Sequence, residues 1–215
     1  MQDTNIELME NMPVQKAIFR LSIPTILSTI VSLLSNLTDI YFIGLLDDPV
    51  QLGAISLAFP VFLVMQAVGN VFGNGAPSYI SRCLGGRRYN EVQKTSAVSV
   101  YMAVILTVII SALFFVFQTP ILRLLGTSPD TLVPTKNYLT IIVAFGPVLT
   151  LQVIFPALLR AEGKIKEAVT GMVIGTVTNI ILDPIFILFL GQKAAGAAWA
   201  TIIGNALAIF FYLFI

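Results

Sequence analysis

Asp39, in the stretch SNLTDIYFIG, and Asp183, in TNIILDPIFI, are the two acids set deep inside long apolar runs of this chain, and no Lys, Arg or His shares those runs. A carboxylate near the centre of a bilayer costs roughly 2.5–3.5 kcal/mol on insertion scales, so it is seldom kept without a role. Lacking a basic neighbour, its natural partners are a proton, a metal cation or a cationic substrate. Thr176, Asn179 and Asp183 follow one another at spacings of three and four, which puts them on one helix face. Pro184 follows at once; its ring removes an N–H and clashes with the carbonyl four residues back, freeing the oxygen of Ile180. One helical turn then offers a carboxylate, an amide oxygen, a hydroxyl and a bare carbonyl, a hard oxygen set that suits Na+ by analogy with calcium sites. Asn36 and Asp39 likewise share a face, and Thr201 adds a hydroxyl if its helix packs beside that of Asp183. The bland reading of Asn36, Thr176 and Thr201 is hydrogen bonding between helices. For the two aspartates it is a permanently protonated packing carboxyl. The chemistry favoured by the pair is ion-coupled transport.

The elements that hold these residues must be membrane helices. The 215 residues are 57% hydrophobic and 11% charged, with a mean hydropathy of +0.92, whereas a soluble domain carries about 25% charged residues. The fold class expected is an all-α membrane protein. The net charge of +1 says little, since the few charges are segregated into loops; no nucleic-acid partner is expected, and the lipid bilayer is the first partner implied. Cys83 is the only cysteine and there is no His, which leaves no pair for a disulfide and no nitrogen and sulfur ligands for a tetrahedral zinc site. No cofactor is expected. Residues 1–15 are acidic and unlike a signal peptide, and read as a cytoplasmic N-terminal segment.

Six stretches have the roughly 20 apolar residues a span needs: about 21–46, 52–81, 95–119, 137–159, 168–190 and 194–215, together a six-helix unit over residues 16–215. Asp47-Asp48-Pro49, Gly85-Gly86, Gly126 to Asp130, Arg160 to Glu167 and Gly191-Gln192-Lys193 punctuate them. Lys16, Arg20, Arg82, Arg87, Arg88, Lys94, Arg160, Lys164 and Lys166 fall on one side, against Arg123, Lys136 and Lys193 on the other. The positive-inside rule then makes the N-terminus cytoplasmic, in a plasma (inner) membrane. The last apolar run stops at Ile215 without a polar flank, which suggests part of a longer protein. Gly69 and Gly73, Gly171 and Gly175, and the series Gly196, Ala200, Gly204, Ala208 have the spacing of close helix contacts. Pro24, some four turns before Asp39, is placed to let the first helix bend when the acid changes charge, and Pro60, Pro77, Pro147 and Pro156 are further sites of kinking.

The stretches KAIFRLSIP (Lys16 to Pro24), LTDIYFIG (Leu37 to Gly44), GAPSYISRCLGG (Gly75 to Gly86), LLRAEG (Leu158 to Gly163), NIILDP (Asn179 to Pro184) and GAAWAT (Gly196 to Thr201) resemble the multidrug and toxic compound extrusion (MATE) transporter family. The resemblance covers essentially the whole chain and is of the prokaryotic type. It implies a fold of two six-helix lobes, twelve helices in all, around a central cavity, of which this chain is the N-terminal lobe. It also implies a cation site at Asp39, Asn179, Asp183 and Thr201, where Na+ or H+ would bind, with Tyr138 lining the same pocket. The function so implied is a secondary active antiporter that exports small organic cations in exchange for Na+ or H+. The partner would be the missing C-terminal lobe, from the same parent chain or a second subunit, and the protein would not be an enzyme. Two other readings compete. A lipid-linked oligosaccharide flippase of the same superfamily usually needs basic residues in its cavity, and none lies deep in a span here. An intramembrane aspartyl protease wants Tyr-Asp and Gly-x-Gly-Asp, whereas Thr38 precedes Asp39 and Leu182 precedes Asp183.

Overall fold

The computed structural model describes residues 14–215, with the side chains of 14, 16–25, 27–29 and 32 outside that description. The N-terminal segment and the side chains of Lys16, Arg20 and Pro24 therefore lie outside the described residues. The elements are α1 (Val14–Gly44), α2 (Pro49–Gly85), α3 (Tyr89–Val116), α4 (Gln118–Leu124), α5 (Pro129–Ala144), α6 (Gly146–Ala161), α7 (Ile165–Pro184), a π-helical turn (Ile185–Phe189) and α8 (Lys193–Leu213). Among the described residues, four helical segments are long and apolar enough to cross a membrane: α2, α3, Ile165–Phe189 and α8. The pair α5 and α6 makes a fifth, bent by 53°. The first expected span falls on α1, which is 31 residues long.

Helix starts follow local chemistry. Asp48 caps α2, its carboxylate accepting from the Val50 N–H at 3.1 Å, with Pro49 in the first turn where no donor is lost. Ser128 and Thr131 form a reciprocal capping box at the start of α5, again with proline in the first turn.

The fourth expected span, 137–159, is two helices rather than one straight rod. Pro147 has no N–H to give the carbonyl of Val143, so the ladder fails there. Ser111 on α3 supplies the missing donor, its hydroxyl reaching the Val143 oxygen at 2.8 Å. Beside it, Thr107 and Thr150 join at 2.8 Å. Gly146 sits tightly at the joint: a Cβ there would lie 3.0 Å from the Ser111 hydroxyl and from Thr107. The bend is thus built into the side chains of α3.

The helices pack in a bundle where α7 lies against α8, α2 against α6, α3 and α5, and α1 chiefly against α7. Small residues allow these approaches. A Cβ at Gly204 would meet the Gly175 carbonyl oxygen at 2.6 Å, and one at Gly69 would meet Val153 Cβ at 2.8 Å. Gly171 is covered by the ring of Tyr212, whose hydroxyl donates to the Ala168 carbonyl at 2.9 Å. One apolar core includes Ile43, Met65, Leu139, Ile142 and Ile187; a second, around Ile80, Cys83, Ile154 and Leu158, fills the other end. Large apolar side chains such as Val71, Tyr101, Ile105, Val116 and Phe189 coat the outside, as a bilayer solvent requires.

The turn from α7 into α8 is tight. Gly191 adopts φ +64° and Lys193 φ +53°, the second an unusual left-handed backbone for a side-chain-bearing residue. Two contacts hold it to the start of α2: Lys193 Nζ donates to Oδ2 of the N-cap Asp48 at 3.2 Å, and the Ala194 N–H donates to Gln51 Oε1 at 3.3 Å. The hydrogen bond from Lys193 holds the Asp48 carboxyl below its ordinary value of 3.8. A carboxyl depressed in the folded state adds stability above its unfolded pKa and loses it as pH falls through the lower folded one. Exchanging Lys193 for Met should therefore flatten the acid side of the melting profile, read as the detergent-solubilised melting temperature against pH, with the variant and parent converging below the 3.8 of an ordinary Asp.

Candidate functional site

The site begins with the backbone contact of Gly175 and Gly204. Because neither residue has a side chain at the crossing, Asn179, one turn beyond Gly175, is pressed onto α8, where a Cβ on Gly204 would be 3.3 Å from its own. Thr201 lies one turn from Gly204 and meets it: Asn179 Nδ2 donates to Thr201 Oγ1 at 3.4 Å and to Asp183 Oδ1 at 3.4 Å. Asp183 is fully buried and Asn179 is 3% exposed. From α1, the half-buried Asp39 comes within side-chain hydrogen-bonding reach of both Asp183 and Asn179. The two acids that share no helix are thus side by side, one near the end of α1 and the other in the last turn of α7. Tyr138, buried at 8% exposure on α5, is close enough to feel the charge of both.

Asp39 Oδ1 and Asp183 Oδ2 are both buried, and neither has a hydrogen-bond partner among the described residues. A buried carboxylate oxygen without a donor is costly, and two adjacent carboxylates repel one another strongly in a low dielectric. A proton or a cation between them relieves both penalties. Among the described residues no group of three His, Cys, Asp or Glu side chains gathers.

The orientation of Asn179 differs from the expected amide oxygen ligand. Thr201 commits its proton to the Ala197 carbonyl at 2.9 Å, a frequent habit of helical Thr, and so presents only lone pairs to its neighbour. Asn179 must answer with its NH2, and its carbonyl oxygen turns away to accept from Ser35 Oγ at 2.7 Å. An amide nitrogen, a donor, therefore faces Asp39, Asp183 and Thr201.

Ser35 is the residue that reading by sequence overlooks. It stands four residues before Asp39, hence on the same face of α1, and that spacing alone would have found it. Asn36, singled out for its neighbourhood to Asp39, is instead exposed on the chain surface. Thr176 is half-buried and contributes no hydrogen bond to the cluster; the buried stripe of α7 runs through Gly171, Gly175, Asn179 and Asp183, one residue to the side of it. Pro184 closes α7, and a π turn follows in which the Leu190 N–H reaches the Ile185 carbonyl at 2.9 Å. Such turns often mark functional positions. Trp199 packs edge-on against Phe145 at 5.4 Å, at the joint of α5 and α6.

A helical bundle with an apolar exterior and a carboxylate pair held between its helices has the make-up of a membrane transporter. The chain belongs to the MatE family, whose model matches residues 24–185. It is 36% identical over 213 residues to the multidrug export protein MepA of Staphylococcus aureus, a match covering 99% of this chain and 47% of that protein. A solved outward-facing conformation of a multidrug resistance MATE family transporter of the MOP superfamily is similar at a TM-score of 0.87 and 32% identity, over 93% of this chain and 44% of that one. A MATE structure in a bent conformation is similar at a TM-score of 0.86 and 32% identity, over the same shares. The chain thus spans about half the length of the relatives it matches.

If the Gly175–Gly204 contact sets the geometry, Gly204→Ala should push α7 from α8. The overpacking should cost about 1–3 kcal/mol, measured as a lower unfolding midpoint, and the hydrogen bond between Asn179 and Thr201 should weaken with it.

Proposed function

We propose that this chain forms one lobe of a secondary active antiporter, a transporter and not an enzyme, that expels small organic cations in exchange for Na+ or H+. The observation that carries the reading is the pair of buried, unpartnered oxygens on Asp39 and Asp183, with no basic side chain of the described residues beside them. The incoming ion neutralises the pair, held by Asp39, Asp183 and Thr201, with Asn179 turning to offer its oxygen when the ion is Na+. With the charge cancelled, α1 and α7 approach, and α1 bends near Pro24. An organic cation competes for the same carboxylates when they are free, so loading the ion releases the substrate. To drive such a switch the ion must prefer one state by several kcal/mol, which a carboxylate pair in low dielectric is able to supply. The second lobe comes from the same parent chain or another subunit, and the N-terminus lies in the cytoplasm of a cell whose plasma membrane holds the protein. The likeness to MepA, a multidrug export protein, supports export of drugs as the broader role.

Asp183→Asn keeps the shape of the side chain and removes its charge. In membrane vesicles carrying the protein, efflux of a fluorescent organic cation driven by a Na+ or H+ gradient should fall at least tenfold. Ion-driven efflux equal to that of the parent would refute the assignment.

A further inference from the structure

We propose that the cleft between α2 and α6 is a phosphate-binding site anchored by Arg160, and that the phosphate it takes belongs to an anionic phospholipid headgroup. The cleft has a volume of about 290 Å³ and is lined by Gly73, Asn74, Pro77, Ala157, Arg160 and Ala161. It is remote in role from the carboxylate pair, shares no residue with it, and does not depend on the ion-exchange reading.

Arg160 ends α6 with its side chain half-buried. Among the described residues it forms no ion pair and no hydrogen bond, although a guanidinium carries five N–H donors. The nearest acid along the chain, Glu162, is already engaged by Lys164 at 3.7 Å. The contrast with Arg82 is plain, since that side chain satisfies its Nε on the Ser78 carbonyl at 3.2 Å. A cation is also favoured at a helix C-terminus, but that effect asks for no cleft and leaves the fork of donors open.

The walls complement an anion that has a polar neighbour. Asn74 adds an amide at the exposed rim. Pro77 lacks the N–H that the Gly73 carbonyl would otherwise receive, which leaves an acceptor in the wall for a headgroup hydroxyl or ammonium. Gly73 and Ala157 supply a small-residue floor, with a Cβ on Gly73 falling 3.6 Å from that of Ala157. Arg82, Arg87, Arg88, Lys94, Lys164 and Lys166 stand at the same ends of α2, α3, α6 and α7, against Glu91, Glu162 and Glu167. Such a basic end gathers anionic lipid at a membrane surface, and the planar fork of Arg160 matches two phosphate oxygens at once.

The test titrates the purified protein in nonionic detergent with short-chain phosphatidylglycerol, short-chain phosphatidylcholine or inorganic phosphate, and follows the melting temperature. Phosphatidylglycerol should raise it at concentrations roughly tenfold lower than phosphatidylcholine, whose phosphodiester is the same but whose quaternary ammonium has no N–H for the Gly73 carbonyl and cancels the net charge that the basic end attracts. Arg160→Gln should abolish that preference, Asn74→Leu should weaken it severalfold, and Arg123→Gln, an exposed residue of α4 outside both the cleft and the basic end, should keep it. Should Arg160→Gln fail to fold, Asn74→Leu against Arg123→Gln decides alone. An equal response to inorganic phosphate overturns the lipid assignment. Retention of the phosphatidylglycerol preference in the cleft variants, or its loss in Arg123→Gln, overturns the site.

Discussion

Two carboxyls from different helices share a buried place with no basic side chain of the described residues beside them, and the packing around them holds them there. Their proximity is unfavourable unless something positive lies between or beside them. What keeps them together is packing: the backbone contact at Gly175 and Gly204 locks α7 to α8, and α1 lies along α7. A carboxylate on a loose helix would turn toward water or a lipid headgroup. Here Asp183 has no such escape, because the stripe that bears it is buried from Gly171 to Ile187.

The polarity of the hydrogen bonds around Asn179 adds a second constraint. Ala197 takes the proton of Thr201, Thr201 takes one from Asn179, and Asn179 takes one from Ser35. Each step leaves the next group no choice of role. The amide NH2 that results stands where a small cation would be welcome, a neutral donor serving two acids. In the proposed exchange, a Na+ ligated by the Asn179 oxygen needs the amide to turn over, whereas a proton makes no such demand.

Much of this was legible from residue types and spacing. The unpaired aspartates, the i, i+4 relation of Asn179 to Asp183, the hydroxyl of Thr201 and the glycine series all pointed to the contacts found, because helical periodicity converts spacing directly into a shared face. Other features were hidden for physical reasons. Ser35 reads as an ordinary small polar residue beside the larger amide of Asn36; it is the rotation of α1 against α7 that brings the Ser35 hydroxyl to Asn179. Thr176 satisfied the spacing rule but sits on the shoulder of the stripe, since a three-residue step turns 300° and not a full circle. The break at Phe145 could be suspected from Pro147, but its stabilisation by Ser111 is a contact between distant helices that no local pattern encodes.

The link from Asp48 and Gln51 to Lys193 and Ala194 has a mechanical meaning. Lys193 is the first residue of α8, and Thr201 lies eight residues further along the same rod. A helix transmits displacement along its axis with little loss, so whatever shifts the loop after α1 is delivered to the hydroxyl beside Asn179. The strap at the surface and the acids beneath it are joined by two turns of rigid backbone, and neither end of that rod is free to move without informing the other.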